Sequence, residues 1–305
     1  MTSVSTPTLP FHLRATGQMA RLRGEAEGLQ QQLATGNRLT RASDDSVAAA
    51  RLRSLGRAEQ LSAADSTNAA RLAADLELAD DALQAVGSDL IRIRELALAA
   101  ANGTLPPEGR AAIGTEIAAL RATILTSANA RDSGGNALFG GQASGPAYAV
   151  AADGSATYLG TAQPGEMALG EGQTVARGVT GPQFLTFQSN GASVDLFGFL
   201  YQLEQTLQTG TGDPVAAAGA AVATLDDALD ALTRTQTVVG TRLDWIVSVQ
   251  DRRIAADEAR AQQTADIGGV DFAGTVARLQ HTLTVLEASQ TGFARLAQLS
   301  LFNNL

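Results

Sequence analysis

Pairs of adjacent carboxylates recur along the sequence, and two carboxylates side by side could share acid–base catalysis or hold a metal ion. The pairs are Asp44-Asp45, Asp80-Asp81 and Asp226-Asp227. The last two lie within long amphipathic segments, where they are expected to face solvent on a helix surface. Asp44-Asp45 has three interpretations: a catalytic pair, a set of metal ligands, or the start of a helix. Because acid pairs recur without catalytic surroundings, a special chemical role for this pair is less favoured.

Side chains that would complete a catalytic or metal site are scarce. The two histidines, His12 and His281, lie in predicted terminal helices without H-x-x-x-H spacing, so they are better explained as helix-surface or interface residues than as ligands. The absence of cysteine excludes disulfides and thiolate zinc sites, and the absence of lysine excludes a P-loop. Asn102-Gly103-Thr104 matches a glycosylation sequon, but a helix-ending turn explains it better. We therefore predict no catalytic residue, no metal ligand and no cofactor.

Composition favours layers of closely packed helices and excludes several kinds of partner. Of the 305 residues 45% are hydrophobic but only 4% are aromatic, so the apolar share is mostly alanine, leucine and valine. A net charge of −9 argues against binding to nucleic acid. No run of 18 apolar residues predicts membrane insertion, and the N-terminal segment lacks the pattern of a Sec signal peptide. If the protein leaves the cell, we expect another route.

Apolar residues at alternating spacings of three and four predict long helices. We predict helices over 11–32, 43–101, 107–130, 194–207, 214–265 and 272–301. The longest repeat comprises Leu72, Leu76, Ala79, Leu83, Val86, Leu90, Ile93, Ala97 and Ala100. A helix of about 55 residues would span roughly 80 Å, which exceeds an ordinary globular domain.

Between 132 and 190 the glycines are dense and the helical period disappears. Alternating runs around Asp153-Gly154 predict a hairpin, and "TVARGV" and "PQFLTFQ" predict further strands. The predicted fold is mainly α: an elongated rod of long antiparallel coiled-coil or bundle helices from both chain ends, with a small β-rich insertion at the tip. The predicted domains are a terminal coiled-coil assembly domain (1–42 with 267–305), a helical rod (43–140 with 193–266) and a variable insertion (141–192).

The two terminal helices are predicted to form an assembly interface. Two isolated helices cannot bury wide apolar stripes, so further copies of the chain would have to cover them. The last helix has one apolar face with Val276 and Leu283 and another with Val285, which suggests two kinds of neighbour. The predicted interface residues are Met19, Leu22, Leu29, Leu33, Val276, Leu279, Leu283, Leu286, Phe293, Leu296 and Leu299.

Three blocks of the sequence resemble signature patterns of the flagellin and hook-associated protein superfamily. They are "LATGNRLTRASDDSVAAA" at 33–50, the segment from "IRIRELALAAANGT" to "NALFGG" at 91–141, and "VDFAGTVARLQ…LSLFNNL" at the end. Within the superfamily, "ASDDSVAAA", "NALFGG" and "LSLFNNL" resemble the hook–filament junction proteins more than the flagellins. Ser46 departs from the pattern, since the family usually has proline there.

The resemblance implies a structural, non-enzymatic subunit of the extracellular bacterial flagellum, a ring of about eleven copies joining hook to filament. The implied partners are other copies of the chain, a larger FlgK-like junction protein, flagellin and a FlgN-like export chaperone. Export would use the flagellar type III apparatus, without a cleavable signal peptide. The alternative is a flagellin, the filament subunit. An enzyme in the β insertion is the weakest reading, because that segment holds few titratable side chains and no histidine.

A helix start is then the best explanation of the first acid pair. We predict Ser43 as the N-cap of the second helix and place Asp44 and Asp45 in its first turn, where carboxylates meet free N–H groups and the positive end of the helix dipole. The preceding "NRLTRA" is predicted to be the connector from the terminal helix.

Overall fold

The computed structural model describes residues 8–151, 155–170 and 172–302, with the side chains of 8, 9, 11 and 296–302 outside that description. Seven helices occur in the described part: α1 (Thr8–Thr35), α2 (Ser46–Ala100), α3 (Pro107–Ala128), α4 (Pro182–Leu185), α5 (Leu196–Thr209), α6 (Pro214–Gly268) and α7 (Phe272–Phe302). The strands are β1 (Tyr148–Val150), β2 (Ala156–Tyr158), β3 (Glu166–Gly170), β4 (Gln173–Ala176), β5 (Thr186–Ser189) and β6 (Ala192–Asp195). The mainly α prediction is confirmed.

The chain divides into two compact units. One comprises Met1–Gln60 with Ala255–Leu305, and the other comprises Leu61–Ile254. The first contains the terminal helices, and the second contains α3, the strands and α5.

The long heptad repeat forms the centre of the second unit. All nine predicted positions from Leu72 to Ala100 are at most 2% exposed. On α6, within the predicted helix over 214–265, Leu225, Leu232, Val239 and Ile246 are buried in the same cluster. Arg94 pairs with Asp226, and Asp65 lies beside Arg253, so the two helices run antiparallel within this unit. The period of the sequence therefore identified the faces of these helices that make the core.

The strands form three separate antiparallel pairs in the described part: β1 with β2, β3 with β4, and β5 with β6. Tyr148 opposes Tyr158 in the first pair, which confirms the predicted pairing, although the turn residues Asp153-Gly154 lie outside the described part. The prediction of one strand over "PQFLTFQ" is wrong in its first half. Pro182 starts a helical turn there, and Leu185 N–H donates to the Gly181 carbonyl at 3.0 Å.

The strand segment, which runs from β1 to β6, shares its core with the helices. The Tyr148 ring packs against Phe197 of α5 with centroids 5.4 Å apart. The Asn129 side chain accepts from the Tyr148 N–H and donates to its carbonyl, which ties β1 to the end of α3. Leu169 of β3 is buried, and its carbonyl accepts from Arg253 of α6. Isolated two-stranded pairs are marginal in water, so this packing explains how they persist.

Helices α3 and α5 approach closely. A Cβ added at Gly114 would lie 3.0 Å from the Glu204 carbonyl oxygen, so any larger residue would push the two helices apart. About two turns further on, Arg121 pairs with the Glu204 carboxylate in a nearly buried, two-point ion pair at 3.0 and 3.1 Å. The same guanidinium lies 5.4 Å from the Tyr201 ring centroid. These contacts hold α5 in place beside the base of the strand segment.

Candidate assembly surface

Helices α1 and α7 pack against each other in the first unit. Ala26 is buried on α1, and the predicted stripe residues Met19, Leu22, Leu29 and Leu33 are partly buried. Their spacing of three and four residues places them along one side of the helix. The predicted apolar stripe of the first helix therefore faces its partner within the chain, with part of its surface still open.

The face of α7 turned towards α1 is rotated from the predicted stripe. Thr275 and Thr282 are buried, at 7% and 5% exposure, and Leu279 and Leu286 are partly buried. Val276 and Leu283 instead remain 40% and 42% exposed, so they do not belong to the α1-facing side. A pattern that counts only apolar residues overlooks the threonines, because threonine is classed as polar. Its compact, β-branched side chain nevertheless fits a close contact between helices.

An aromatic contact lies at the end of the helix pair where α1 begins and α7 ends. The rings of His12 and Phe293 meet edge to face with centroids 5.0 Å apart. Beside them Ala15, Met19 and Gly292 line a groove of about 390 Å³ between the two helices. The predicted Leu296 and Leu299 follow on α7, but their side chains lie outside the described part.

Two crossing segments connect the terminal helices to α2 and α6. Gly36 ends α1 with a φ of 69°, which glycine adopts readily. The Arg38 N–H donates to the Gly268 carbonyl at 2.7 Å, and the Val270 N–H donates to the Gly36 carbonyl at 3.0 Å. Asn37 and Gly269 thus form an antiparallel bridge. The break implied by the predicted helices over 214–265 and 272–301 is present, although α6 continues to Gly268, and Asp271 accepts from the Gly274 N–H to cap α7.

The structure moves the predicted cap of α2. The helix begins at Ser46, and Asp45 is the N-cap, because its carboxylate accepts from the Ala48 N–H at 3.0 Å. Asp44 lies before the helix and accepts from the N–H groups of Thr40 and Arg41. Placing the cap at Ser43 was therefore wrong: Asp44 closes the preceding turn and Asp45 caps the helix, so neither residue lies inside the first helical turn.

Arg38 joins the two crossing segments. Its guanidinium donates to the Ile267 carbonyl at the end of α6 and pairs with Asp45 at 3.3 Å. It therefore connects a helix C-terminus, which favours cations, with a helix N-cap, which favours anions. In sequence terms it was only one basic residue of the "NRLTRA" connector. We know of no local signal that would have singled it out.

Hydrogen bonds explain the electrostatics of the acid pair. The Arg41 N–H, the Thr40 hydroxyl and the Thr40 N–H hold the pKa of Asp44 below its usual range. The Ala48 N–H, followed by Arg38, does the same for the pKa of Asp45. Both carboxylates thus remain charged at neutral pH and are occupied in binding backbone. This arrangement suits a structural joint and provides no general acid.

We expect Asp45→Ala to lower the midpoint of thermal unfolding of the full chain by a few degrees, since it removes an N-cap. Circular dichroism measures the loss. Because the pKa of Asp45 is depressed in the folded state, its stabilisation is complete above the usual aspartate range and is lost as the pH falls through the folded pKa. The difference between variant and wild type should therefore shrink in acid.

Ser43→Ala is the matched control, because Ser43 is exposed and has no hydrogen bond in the described part. It should leave the unfolding midpoint unchanged. A larger loss for Ser43→Ala than for Asp45→Ala would return the cap to Ser43.

Metal sites and membrane-spanning helices are both absent from the described residues. No group of three or more histidine, cysteine or acidic side chains gathers there as a metal site. No helix in that part has the length together with the apolar character that crossing a membrane requires. The features left to explain are the terminal helix pair and its joint.

Comparison with known proteins shows which proteins the chain resembles. Residues 9–144, which contain nearly all of α1 and the whole of α2 and α3, match the bacterial flagellin N-terminal helical region. Flagellar hook-associated protein 3 of Escherichia coli (strain K12) is 27% identical over 290 residues, spanning 89% of this chain and 90% of that protein. Along most of its length the chain is therefore similar to members of the flagellin and hook-associated protein superfamily. This family consists of structural proteins of the bacterial flagellum.

Solved structures of hook-associated relatives share the fold. FlgL of Xanthomonas campestris matches with a TM-score of 0.61 at 16% identity, covering 69% of this chain and 99% of that one. The flagellar junction protein FlgL of Legionella pneumophila matches with a TM-score of 0.59 at 15% identity, covering 72% and 99%. At these identities the solved structures support the fold alone. The similarity to the hook-associated proteins within the superfamily rests on hook-associated protein 3 of Escherichia coli.

Proposed function

We propose that this chain is a hook–filament junction subunit, a structural protein that acts by assembly and performs no catalytic step. The observation that carries the proposal is the alignment with hook-associated protein 3, which spans nearly the full length of both chains. The FlgL fold and a junction role named for one such structure support it.

Assembly would proceed through the terminal helices. Met19, Leu22, Leu29 and Leu33 of α1 are only partly buried by α7, and Val276 and Leu283 point away from that contact. Partly covered apolar stripes on a thin helix pair are stabilised when neighbouring copies complete the packing. We propose that these residues, together with Leu279, Leu286, Phe293, Leu296 and Leu299, form the interface between subunits.

The partners follow from the same role. We propose a ring of about eleven copies, contacting a larger FlgK-like junction protein on the hook side and flagellin on the filament side. A FlgN-like chaperone would bind the C-terminal region before export through the flagellar type III apparatus to the extracellular flagellum. We further propose the three-part domain division 1–42 with 267–305, 43–140 with 193–266, and 141–192.

A flagellin is the second candidate, since the matched N-terminal region is described as that of flagellin. The two roles differ in what growth they permit. Purified flagellin should elongate into long filaments from seeds, whereas a junction protein should stop at a bounded layer.

Deletion of the gene in its own flagellated host tests the proposal. We expect intact hooks without filaments, with flagellin released into the medium, and restoration by the wild-type chain. The variant carrying Val276→Asp and Leu283→Asp should fail to restore filaments, because it places charges on the proposed interface. Loss of the main filament protein itself, with none in the medium, would identify a flagellin instead.

The control is Val150→Asp on β1. Val150 is 51% exposed, so it offers the same change outside the terminal helices. It should restore filaments fully. If it fails as badly as the α7 variant, the effect is not specific to the proposed interface.

A further inference from the structure

A small polar cavity lies in the second unit, between α2 and the loops that precede β1 and follow β4. Its volume is about 150 Å³, enough for an ion with several water molecules. The lining includes Asp75 of α2, Asp132, Asn136 and Ser144 of the first loop, and Arg177 after β4. These residues come together only in the fold, and the assembly role uses none of them.

Asp75 is the unusual member of this lining. It is 8% exposed, and in the described part of the chain it accepts no hydrogen bond and forms no ion pair. Burial, followed by the charge of Asp132, raises the pKa of Asp75 above its usual range. When a residue is more than nine-tenths buried, a carboxylate on it without a partner is costly unless something else compensates it. Because Asp75 lies in the cavity wall, a group that compensates its charge would have to bind in the cavity.

Asp132 adds a second carboxylate, held in a fixed position. It accepts from the Asn136 N–H at 2.8 Å and also from the Asn136 side-chain amide. Burial works to raise the pKa of Asp132, but these hydrogen bonds outweigh it, so the pKa lies below the usual range and the group is charged. The amide of Asn136 and the hydroxyl of Ser144 contribute neutral oxygen atoms to the same lining.

Arg177 does not neutralise the pair. It is exposed and forms no ion pair with either carboxylate among the described residues. Its charge acts on both only from the rim of the cavity, where it slightly favours their ionised forms. The cavity lining therefore contains two acids, one held in place and one without a hydrogen bond or ion pair in the described part, on which Arg177 and Arg71 act only through their charge.

We propose that this cavity binds one calcium ion through the carboxylates of Asp75 and Asp132, with Asn136, Ser144 and water completing the oxygen shell. Calcium accepts an irregular set of six to eight oxygen ligands, and sites with few carboxylates bind with Kd of about 10⁻⁴–10⁻³ M. Magnesium demands near-ideal octahedral geometry and should bind more weakly here. The ion would tie α2 to the loop at the base of the strand segment.

Equilibrium dialysis of the full chain with radioactive calcium at neutral pH tests this proposal. We expect one ion per chain with Kd of about 10⁻⁴–10⁻³ M, and no measurable binding by Asp75→Asn. Calcium should raise the thermal unfolding midpoint of the wild type and leave that of Asp75→Asn unchanged. The absence of binding at about 10 mM calcium, or binding retained by Asp75→Asn, would overturn the site.

Two further variants separate a specific site from general attraction to an acidic chain. Asp81→Asn removes an exposed carboxylate from the same helix and should leave binding unchanged. Arg177→Gln removes the competing charge at the rim and should tighten binding a few-fold. If Asp81→Asn weakens binding as much as Asp75→Asn, calcium is attracted only by net charge. Should Asp75→Asn fail to fold, Arg177→Gln decides, since unchanged or weaker binding there contradicts the site.

Discussion

Replacing Arg121 with methionine is expected to lower the free energy of unfolding by about 3–5 kcal/mol, one of the two largest losses predicted for this chain. The Arg121 side chain is 15% exposed and its partner Glu204 only 4%. Removal of the guanidinium leaves the Glu204 carboxylate buried between α3 and α5 without its counter-ion. Urea unfolding followed by the fluorescence of Trp245, the single tryptophan, measures the loss in the unit that contains all three residues.

A double variant distinguishes a stabilising pair from a buried charge left behind. Arg121→Met combined with Glu204→Leu removes both charges and should recover most of the lost stability, because an apolar pair avoids the desolvation cost. The matched control is Arg92→Met, which breaks the exposed pair between Arg92 and Glu116 of α3. Exposed pairs contribute about 0–1 kcal/mol. Equal losses for Arg92→Met and Arg121→Met would contradict the argument.

The helices of this fold could be predicted from sequence because their cores repeat every three or four residues. The repeat from Leu72 to Ala100 needed no knowledge of its neighbours, since nearly any partner helix buries the same stripe. The break at Gly268-Gly269 and the start at Pro107 followed from the backbone preferences of glycine and proline. Local chemistry was sufficient for these elements.

The remaining features depend on partners that are distant in sequence. The side of α7 that α1 covers differs from the predicted apolar stripe. The position of α1 therefore determines that Thr275 and Thr282 are buried. The cap at Asp45 depends on Arg38, which is itself held by the Ile267 carbonyl more than 200 residues later. The strand segment gains its packing from Tyr148 against Phe197, a contact that no short pattern contains. The cavity around Asp75 escaped the sequence analysis for the same reason.

The two compact units of the chain differ in how fully their apolar residues are buried. The second unit has a continuous apolar core, secured by the heptad of α2 and by the pair of Arg121 and Glu204. The first unit has a thin helix pair whose stripes are only partly covered. A structural subunit needs both properties, because it must fold before assembly and still gain stability from it. Substitutions in the two units should therefore separate, with core changes lowering monomer stability and terminal changes lowering assembly.

Leu90→Ala and Leu98→Ala test that separation with one substitution on one helix. Leu90 is fully buried, so truncation should leave a cavity and lower the free energy of unfolding by about 2–5 kcal/mol. Leu98, eight residues later on α2, is 50% exposed, and its replacement by alanine should cost less than about 0.5 kcal/mol, because alanine favours the helix and little contact is lost. Trp245 fluorescence in urea measures both variants under identical conditions. Similar losses at the two positions would show that the stripe from Leu72 to Ala100 is not the core of this unit. A loss confined to Leu90 would show that Leu98 is not needed for folding, so that its exposed side chain remains available for contacts outside the chain.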